Sequence, residues 1–372
     1  MKQSFQKVLN KTKQLIIIGT KKNGFLSFSA SLGAIALGLI VGLIVLLISN
    51  PAQAFNGFLT ILAGGFSGGA SGIGQVLYLA TPIIMTGLSV GFAFKTGLFN
   101  IGTPGQFIVG AYVAIYIGVK WTFIPSSVLW IVALLGSALA GALWAFIPGI
   151  LKAYRNVNEV ISSIMMNYIG MYLVNYLIVQ TVYDSAKNQT LPTNTFLPTL
   201  GLDKLFQGAG LNSGFFIAIL CVAIIYIILN KTTFGYELKA CGFNRDASRY
   251  AGINEKKSIV LSMVIAGALA GLGGGLLYLS STGKYISVVD VLANEGFNGI
   301  PVALLGLSNP VGIFFAGIFI AYLTQGGFYM QRFDFVPEVI NIIIAVIIYC
   351  SAFSLAFKNF FQNRRKKKEG EL

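Results

Sequence analysis

The run NGFLSFSASLGAIALGLIVGLIVLLISNPAQAFNGFLTILAGGFSGGASGIGQVLYLATPIIMTGLSVGFAF, residues 23–94, holds no Asp, Glu, Lys or Arg. An uncharged run of this kind belongs in hydrocarbon, where a helix of about 20 apolar residues crosses and satisfies its own backbone. The cations lie at the edges of such runs. Twenty of the 26 Lys and Arg fall in four places: the first 22 residues, Lys152–Arg155, Lys231–Lys257 and the tail from Lys358. Basic clusters alternating with apolar spans mark a multi-pass membrane protein with those clusters in the cytoplasm.

Composition agrees. The chain has 372 residues, 55% hydrophobic and 10% charged, and a soluble fold could not hide that much apolar surface. The net charge of +14 flanks spans instead of forming a basic stripe, so no nucleic-acid partner is expected. The chain has no His, which excludes Ser-His and Cys-His catalysis, His-ligated metals and His proton relays. Cys221, Cys241 and Cys350 are isolated and read as small buried thiols. No cofactor and no metal are expected.

Charges and helix breakers predict spans at about 29–49, 75–94, 127–151, 160–182, 214–229, 258–280 and 336–357. A further span follows the break Gly97–Gln106 and ends near Val119. Gly64 to Gly74 read as a glycine-rich outer loop, and 183–213 as a long outer loop. Two short apolar pieces, 296–307 and 311–324, flank Ser308-Asn309-Pro310. They make either one re-entrant hairpin, with eight crossings, or two short spans, with ten; ten is preferred. The basic N-terminus 1–28, the transmembrane domain 29–357 with its cytoplasmic loop 230–257, and the basic tail 358–372 complete the organisation. Ala52-Gln53-Ala54 after the apolar run 32–48 imitates a signal-peptide cleavage site. The long charged region before it favours a retained first span. Both termini are then cytoplasmic.

Four segments carry the functional expectations. In Lys95–Gln106 the glycines and Pro104 argue against continuous helix, and such backbone near a membrane lies in protein or along a wet path. Asn100, Thr103 and Gln106 offer hydrogen bonds there without charge. Glu295–Pro301 echoes it, with Phe297-Asn298 against Phe99-Asn100. The span topology sets the first echo near the inner face and the second near the outer face, as an inverted repeat does. Asn158 is placed to cap the next helix and Glu159 to suit its dipole. Asn167 lies in mid-span, where it faces a neighbour or the path. In the loop 235–254, Asn244 is placed to cap a short helix that Gly252 stops. Such a helix across the inner face is a way to receive a push from a partner. No Gly-x-x-x-x-Gly-Lys-Ser/Thr occurs; Ser281-Thr282-Gly283-Lys284 lacks the leading Gly at the required spacing and is followed by Tyr285 instead of Ser or Thr. Any ATP hydrolysis belongs to another chain.

FKTGLFNIGTPGQ (Phe94–Gln106), NEVISSIMMNYI (Asn158–Ile169), ELKACGFNRDASRYAGIN (Glu237–Asn254) and GFNGIPVALLGLSNPVG (Gly296–Gly312) resemble the permease subunits of bacterial ABC importers. The wider group includes ribose and branched-chain amino-acid permeases. The wording is most similar to permeases of nucleoside importers that work with a basic-membrane-protein-type lipoprotein. The likeness runs from about Leu77 to Ala356. It implies an all-α type II importer fold of about ten segments with an internal inverted repeat, in the bacterial plasma membrane. It implies a second permease subunit, two ATPase subunits and a substrate-binding lipoprotein as partners. Glu237, Lys239, Asn244, Arg245, Arg249 and Gly252 would then belong to the segment seated in the ATPase. The segments around Asn100 and Asn298 would flank the path; within them and in mid-span, Phe99, Asn100, Gln106, Asn167, Phe297 and Asn298 are singled out by their chemistry and not by the resemblance.

Uncharged amides suit a neutral sugar-and-base solute better than an ion, and Phe99 and Phe297 are able to stack on a base, although core packing is the more ordinary use of each. Sugars or branched-chain amino acids are the alternative solutes. An ion-coupled transporter would need a carboxylate inside the spans, whereas Asp290 and Glu295 read as outer-loop residues. An intramembrane enzyme has little here to catalyse with. Charge reversal at Arg245 or Arg249 is expected to uncouple ATP hydrolysis from uptake. Asn100→Leu is expected to lower uptake and spare assembly.

Overall fold

The computed structural model describes residue 33 and residues 35–352. The basic N-terminus, the basic tail and the terminal residues of the first and last predicted spans lie outside them. In chain order the described helices are α1 (Ile35–Ser49), α2 (Ala54–Ala63), α3 (Gly69–Lys95), α4 (Thr103–Lys120), α5 (Ser126–Arg155), α6 (Glu159–Thr181), α7 (Leu202–Leu205) and α8 (Gly214–Lys231). There follow α9 (Thr233–Phe243), α10 (Arg245–Tyr250), α11 (Glu255–Tyr278), α12 (Asn294–Phe297), α13 (Gly299–Leu305), α14 (Pro310–Met330) and α15 (Pro337–Ala352). Among the described residues six helical stretches are long and apolar enough to cross a membrane: Ala54–Lys95, Ser126–Arg155, Glu159–Thr181, Gly214–Lys231, Glu255–Tyr278 and Pro310–Phe333. The chain is a multi-pass, helical membrane protein. It divides into two compact units, Met1–Leu59 with Met330–Leu372, and Thr60–Tyr329.

In the first unit α1 and α15 run antiparallel. Gly42 faces Ile343 and Gly38 faces Ile347, so these two small residues, four apart, let the helices approach closely.

In the second unit α11 is the central helix, buried along most of its length. Its glycines let neighbours in to backbone distance. Gly267 and Gly271 lie against Gly141 of α5, Gly271 also against Gly110 of α4, and Gly274 against Phe107 and Ala111. A side chain at any of these positions would meet backbone, and hydrocarbon offers helices no hydrophobic drive to reassociate around it.

The cations gather at one end of this unit. Gly242 of α9 rests on the Lys95 carbonyl and Gly97, Arg245 reaches Asn156 after α5, and Lys256 lies 5.0 Å over the Tyr154 ring. The opposite end is closed by the loop 183–213. This carries a two-stranded hairpin, β1 (Tyr183–Asp184) and β2 (Gln189–Thr190), and the short α7. The loop is tied down by Asn194 N to the Gly118 carbonyl (3.0 Å) and Leu197 N to the Leu279 carbonyl (2.9 Å).

Three expectations change. Gly64 to Gly74 are not a loop: Gly64–Gly68 form a 3₁₀ turn and Gly69 begins α3. These glycines serve close approach, since Gly72 abuts the Gly65 carbonyl and Gly74 abuts Phe206 and Ala209. The second short apolar piece is a 21-residue helix, α14. It continues past Thr324 because Gln325 is buried and donates to Gln75 of α3. The first piece stays short and broken, as α12 and α13. Glu295 belongs to α12 and not to an outer loop.

Candidate functional site

α3 ends at Lys95, and the chain does not continue straight into α4. Thr96 to Gly102 turn back along α3, beginning with Gly97 in the left-handed region (φ 73). Asn100 thereby reaches Ser89, six residues up α3, a rise of roughly 9 Å from the Lys95 end. This non-helical backbone is buried in protein, as the membrane requires. The helix resumes at Thr103 with Pro104 in its first turn, where a missing N–H costs nothing. The break is therefore 96–102, and Pro104 to Gln106 are helical.

Asn100, Gln106 and Asn167 knit this break together. Asn100 is 0% exposed. Its Nδ2 donates to Gln106 Oε1 (2.9 Å) and Ser89 Oγ (3.2 Å). Its Oδ1 accepts from Gln106 Nε2 (2.9 Å) and from Gly102 N (3.2 Å). The Asn167 amide clips the same turn to α6, accepting from Gly105 N (2.9 Å) and donating to the Ile101 carbonyl (2.9 Å). These three side chains are closed on protein in this conformation. Phe99 stacks on Phe94 with centroids 5.3 Å apart, so one of its faces is taken.

The second echo sits differently. Gly296 rests against Pro104, and Gly299 against the Thr86 backbone at the middle of α3. The two broken segments meet in the bundle instead of lying at opposite faces. Thr86 is nine residues from Lys95, so this junction is roughly 13 Å from the cationic end. Phe297 is half-buried, whereas Asn298 is exposed and its side chain has no hydrogen bond among the described residues. Glu295, half-buried, is one residue from the junction.

At the cationic end α9 and α10 form an arm. The Asn244 side chain caps α10 by accepting from Ala247 N (2.9 Å), and Gly252 (φ 81) stops it. The break between the helices is Asn244; Gly242 lies inside α9 because its bare backbone has to seat on Lys95 and Gly97. Arg245 Nε pairs with Glu255 Oε2 at 2.7 Å, and its Nη1 donates to Asn156 Oδ1 (3.4 Å). Arg245 is thus a brace within the fold, and Arg249 is exposed with no ion pair among the described residues. Lys152 and Glu159 pair at 2.9 Å beside it, and Asn158 caps α6 as expected.

α9 and α10 enclose a groove of about 610 Å³. It is lined by Tyr236, Glu237, Ala240, Phe243, Ala247 and Ile253, among others. Phe243 is 91% exposed, Tyr250 94% and Tyr236 69%. Three bare aromatic rings thus stand beside an apolar groove, an exposed patch of the kind that interaction sites carry. Sequence reading missed these aromatics, although their seven-residue spacing was visible. Lys239 is half-buried at the root of the arm.

The comparisons with known proteins bear on this arrangement. Residues 72–352 match the family described as branched-chain amino acid transport system / permease component. Guanosine ABC transporter permease protein NupP of Bacillus subtilis (strain 168) is 40% identical over 337 residues, 90% of this chain and 95% of that protein. Nucleoside ABC transporter permease protein NupB of Lactococcus lactis subsp. cremoris (strain MG1363) is 36% identical over 329 residues, covering 85% and 88%. Glucose ABC transporter permease protein TsgB13 of Haloferax volcanii is 31% identical over 340 residues, covering 88% and 87%. No solved structure matches the chain. A helical membrane unit with a broken pair of segments at its middle, a capped arm at its cationic end and end-to-end likeness to such permeases belongs to the branched-chain amino acid transport system permease family.

Proposed function

We propose that this chain is the permease subunit of an ATP-driven importer and that it carries nucleosides inward. The observation that carries the proposal is the end-to-end similarity to permeases named for guanosine and nucleosides. The likeness to a glucose permease is lower, and it keeps sugars as the second reading. Asn298 adds support from chemistry: a neutral amide, exposed and unpartnered at membrane depth, hydrogen-bonds a neutral polar solute without favouring an ion.

Ten passages account for the helices: α1, α3, α4, α5, α6, α8, α11, the α12–α13 pair, α14 and α15. The cationic end is cytoplasmic by the positive-inside rule, and both termini then lie there too. The matching breaks before α4 and within α12–α13 support an inverted repeat with its junction at Gly296 and Pro104.

ATP is burned on two separate ATPase subunits, which seat the groove and aromatics of the α9–α10 arm. Glu237, Lys239, Asn244, Arg249 and Gly252 form or face that seat, and Arg245 holds the arm to α11. A second permease completes the passage, and an outer lipoprotein delivers solute. Asn100, Gln106 and Asn167 act as positioning residues that hold the start of α4. Phe297 and Asn298 stand nearer to the moving solute, while Phe99 packs on Phe94.

An ion-coupled mechanism is the rival that Glu295 favours, because a half-buried carboxylate lies close to the junction. Reconstitution of the complex in vesicles decides. ATP-dependent guanosine uptake that excess glucose does not compete supports the proposal. Uptake that persists without ATP and follows an ion gradient, or uptake competed by glucose and not by guanosine, overturns it.

A further inference from the structure

α6 buries one side through Ser162, Ser163, Met166, Asn167, Gly170 and Val174, packed on α4 and α5. Its other side exposes Tyr168 (46%), Tyr172 (55%) and Tyr176 (62%), set among Ile161, Met165, Ile169 and Val179. Spaced four apart on a helix, these side chains form one row, with neighbouring Cβ atoms about 5–6 Å apart. Tyr168 is nine residues from Glu159 and Tyr172 nine from Thr181, so both Cα atoms lie roughly 3 Å from the helix midpoint. None of the three hydroxyls has a hydrogen-bond partner among the described residues, and none of the rings meets another.

A phenol facing hydrocarbon at mid-depth gives up its water hydrogen bonds and gains none in return. Tyrosine facing lipid belongs at the two interfaces instead. α8 and α5 keep to that rule. α8 exposes Phe216, Ile219, Leu220, Ile224 and Ile227, and its exposed Tyr226 lies only five residues from Lys231. α5 exposes Leu135, Leu139 and Leu143 at mid-helix. The three phenols set α6 apart from those aliphatic faces, and their hydroxyls call for water that lipid does not supply.

We propose that the row Tyr168–Tyr172–Tyr176 lines the water-filled passage and that its rings stack in turn on the aromatic base of the transported nucleoside. The proposal rests on the nucleoside reading of the function and adds the residues that recognise the base. Every nucleobase has a π-face, so stacking accepts purines and pyrimidines alike, while a plain sugar gains little from it. Three similar rungs spaced along the helix suit transit, because each holds the solute and none traps it. The hydroxyls find their partners in passage water.

The test uses the complete transporter in vesicles, with the native cysteines replaced by alanine (Cys221→Ala, Cys241→Ala, Cys350→Ala). In that background Tyr172→Cys is expected to react with a charged, water-soluble methanethiosulfonate in the nucleotide-free or the ATP-bound state. Saturating guanosine is expected to slow that reaction. Leu220→Cys, on the aliphatic face of α8, is expected to stay unlabelled. In the native-cysteine protein Tyr172→Leu raises KM by about five- to 150-fold, the worth of one stacked base, and Tyr172→Phe, which keeps the ring, raises it by less. Three results overturn the row: no labelling of Tyr172→Cys in either state, labelling that guanosine leaves unchanged, or unaltered KM in Tyr172→Leu. Absent labelling together with loss of the second permease on purification would assign the face to that subunit and also overturn the proposal. Guanosine uptake by the unmodified complex is scored separately. A complex that transports guanosine and fails the labelling test overturns only the row, and one that carries no guanosine overturns both.

Discussion

Replacing Asn100 alone by leucine is expected to cost more stability than replacing Asn100 and Gln106 together. The Asn100 side chain makes four hydrogen bonds in a fully buried site: two with Gln106, one with Ser89 and one with Gly102 N. In Asn100→Leu both polar atoms of the Gln106 amide, the Ser89 hydroxyl and the Gly102 N–H lose this partner. At about 1–3 kcal/mol per orphaned buried group, four orphans amount to ~4–8 kcal/mol after partial relaxation. Gln106→Leu is milder, because the two Asn100 polar atoms keep Ser89 and Gly102, and about 1–2 kcal/mol is expected. In the double variant the Gln106 amide no longer exists, and the Gly102 N–H and the Ser89 hydroxyl are the remaining orphans, at about 2–4 kcal/mol together. The second substitution thus rescues the first, with a coupling of a few kcal/mol in a double-mutant cycle. SDS-titrated unfolding of the purified protein in mixed micelles, followed by tryptophan fluorescence, gives the four corners of the cycle. A double variant as unstable as the sum of the singles would refute the paired-amide account. This burial also replaces the expectation that Asn100→Leu spares assembly.

The two arm arginines are expected to separate. Arg249→Glu leaves the fold intact and lowers uptake about tenfold while ATP hydrolysis by the complex continues, a coupling loss of ordinary size; normal uptake would remove Arg249 from the ATPase seat. Arg245→Glu sets a second carboxylate beside Glu255, which has 13% side-chain exposure, and limited proteolysis of residues 243–256 should accelerate in this variant and not in Arg249→Glu. Gly271→Val inserts a branched side chain between α11, α4 and α5, at a cost of about 1–3 kcal/mol or more, and the yield of monodisperse protein in detergent should fall sharply.

Much of the architecture was legible because charges punctuate it. The spans read at 127–151, 160–182, 214–229 and 258–280 correspond to α5, α6, α8 and α11, whose ends carry Arg155, Glu159, Lys231 and Glu255. The arm was legible for a local reason: an Asn cap and a Gly stop act within a few residues of themselves. Glycine was not legible at Gly64 to Gly74, since the residue that loosens a loop also lets two backbones touch, and the deciding neighbours, Tyr329 and Phe206, are far away in sequence. The depth of the Asn100 turn was hidden for the same reason. Its partner Ser89 looks like an incidental hydroxyl in an apolar helix until the chain doubles back. Asn298, by contrast, was singled out from its neighbours in sequence and is the exposed member of the echo.

Gly242 leaves no slack between the arm and the bundle. Its Cα surface rests directly on the backbone of Lys95 and Gly97, and Gly97 is three residues from Asn100. If α9 receives a tug as proposed, main chain alone would carry it to the buried amide clasp, with no flexible side chain between. Such a linkage would act as a push-rod rather than a spring, and even a methyl group at position 242 would meet the Lys95 carbonyl and pry it apart.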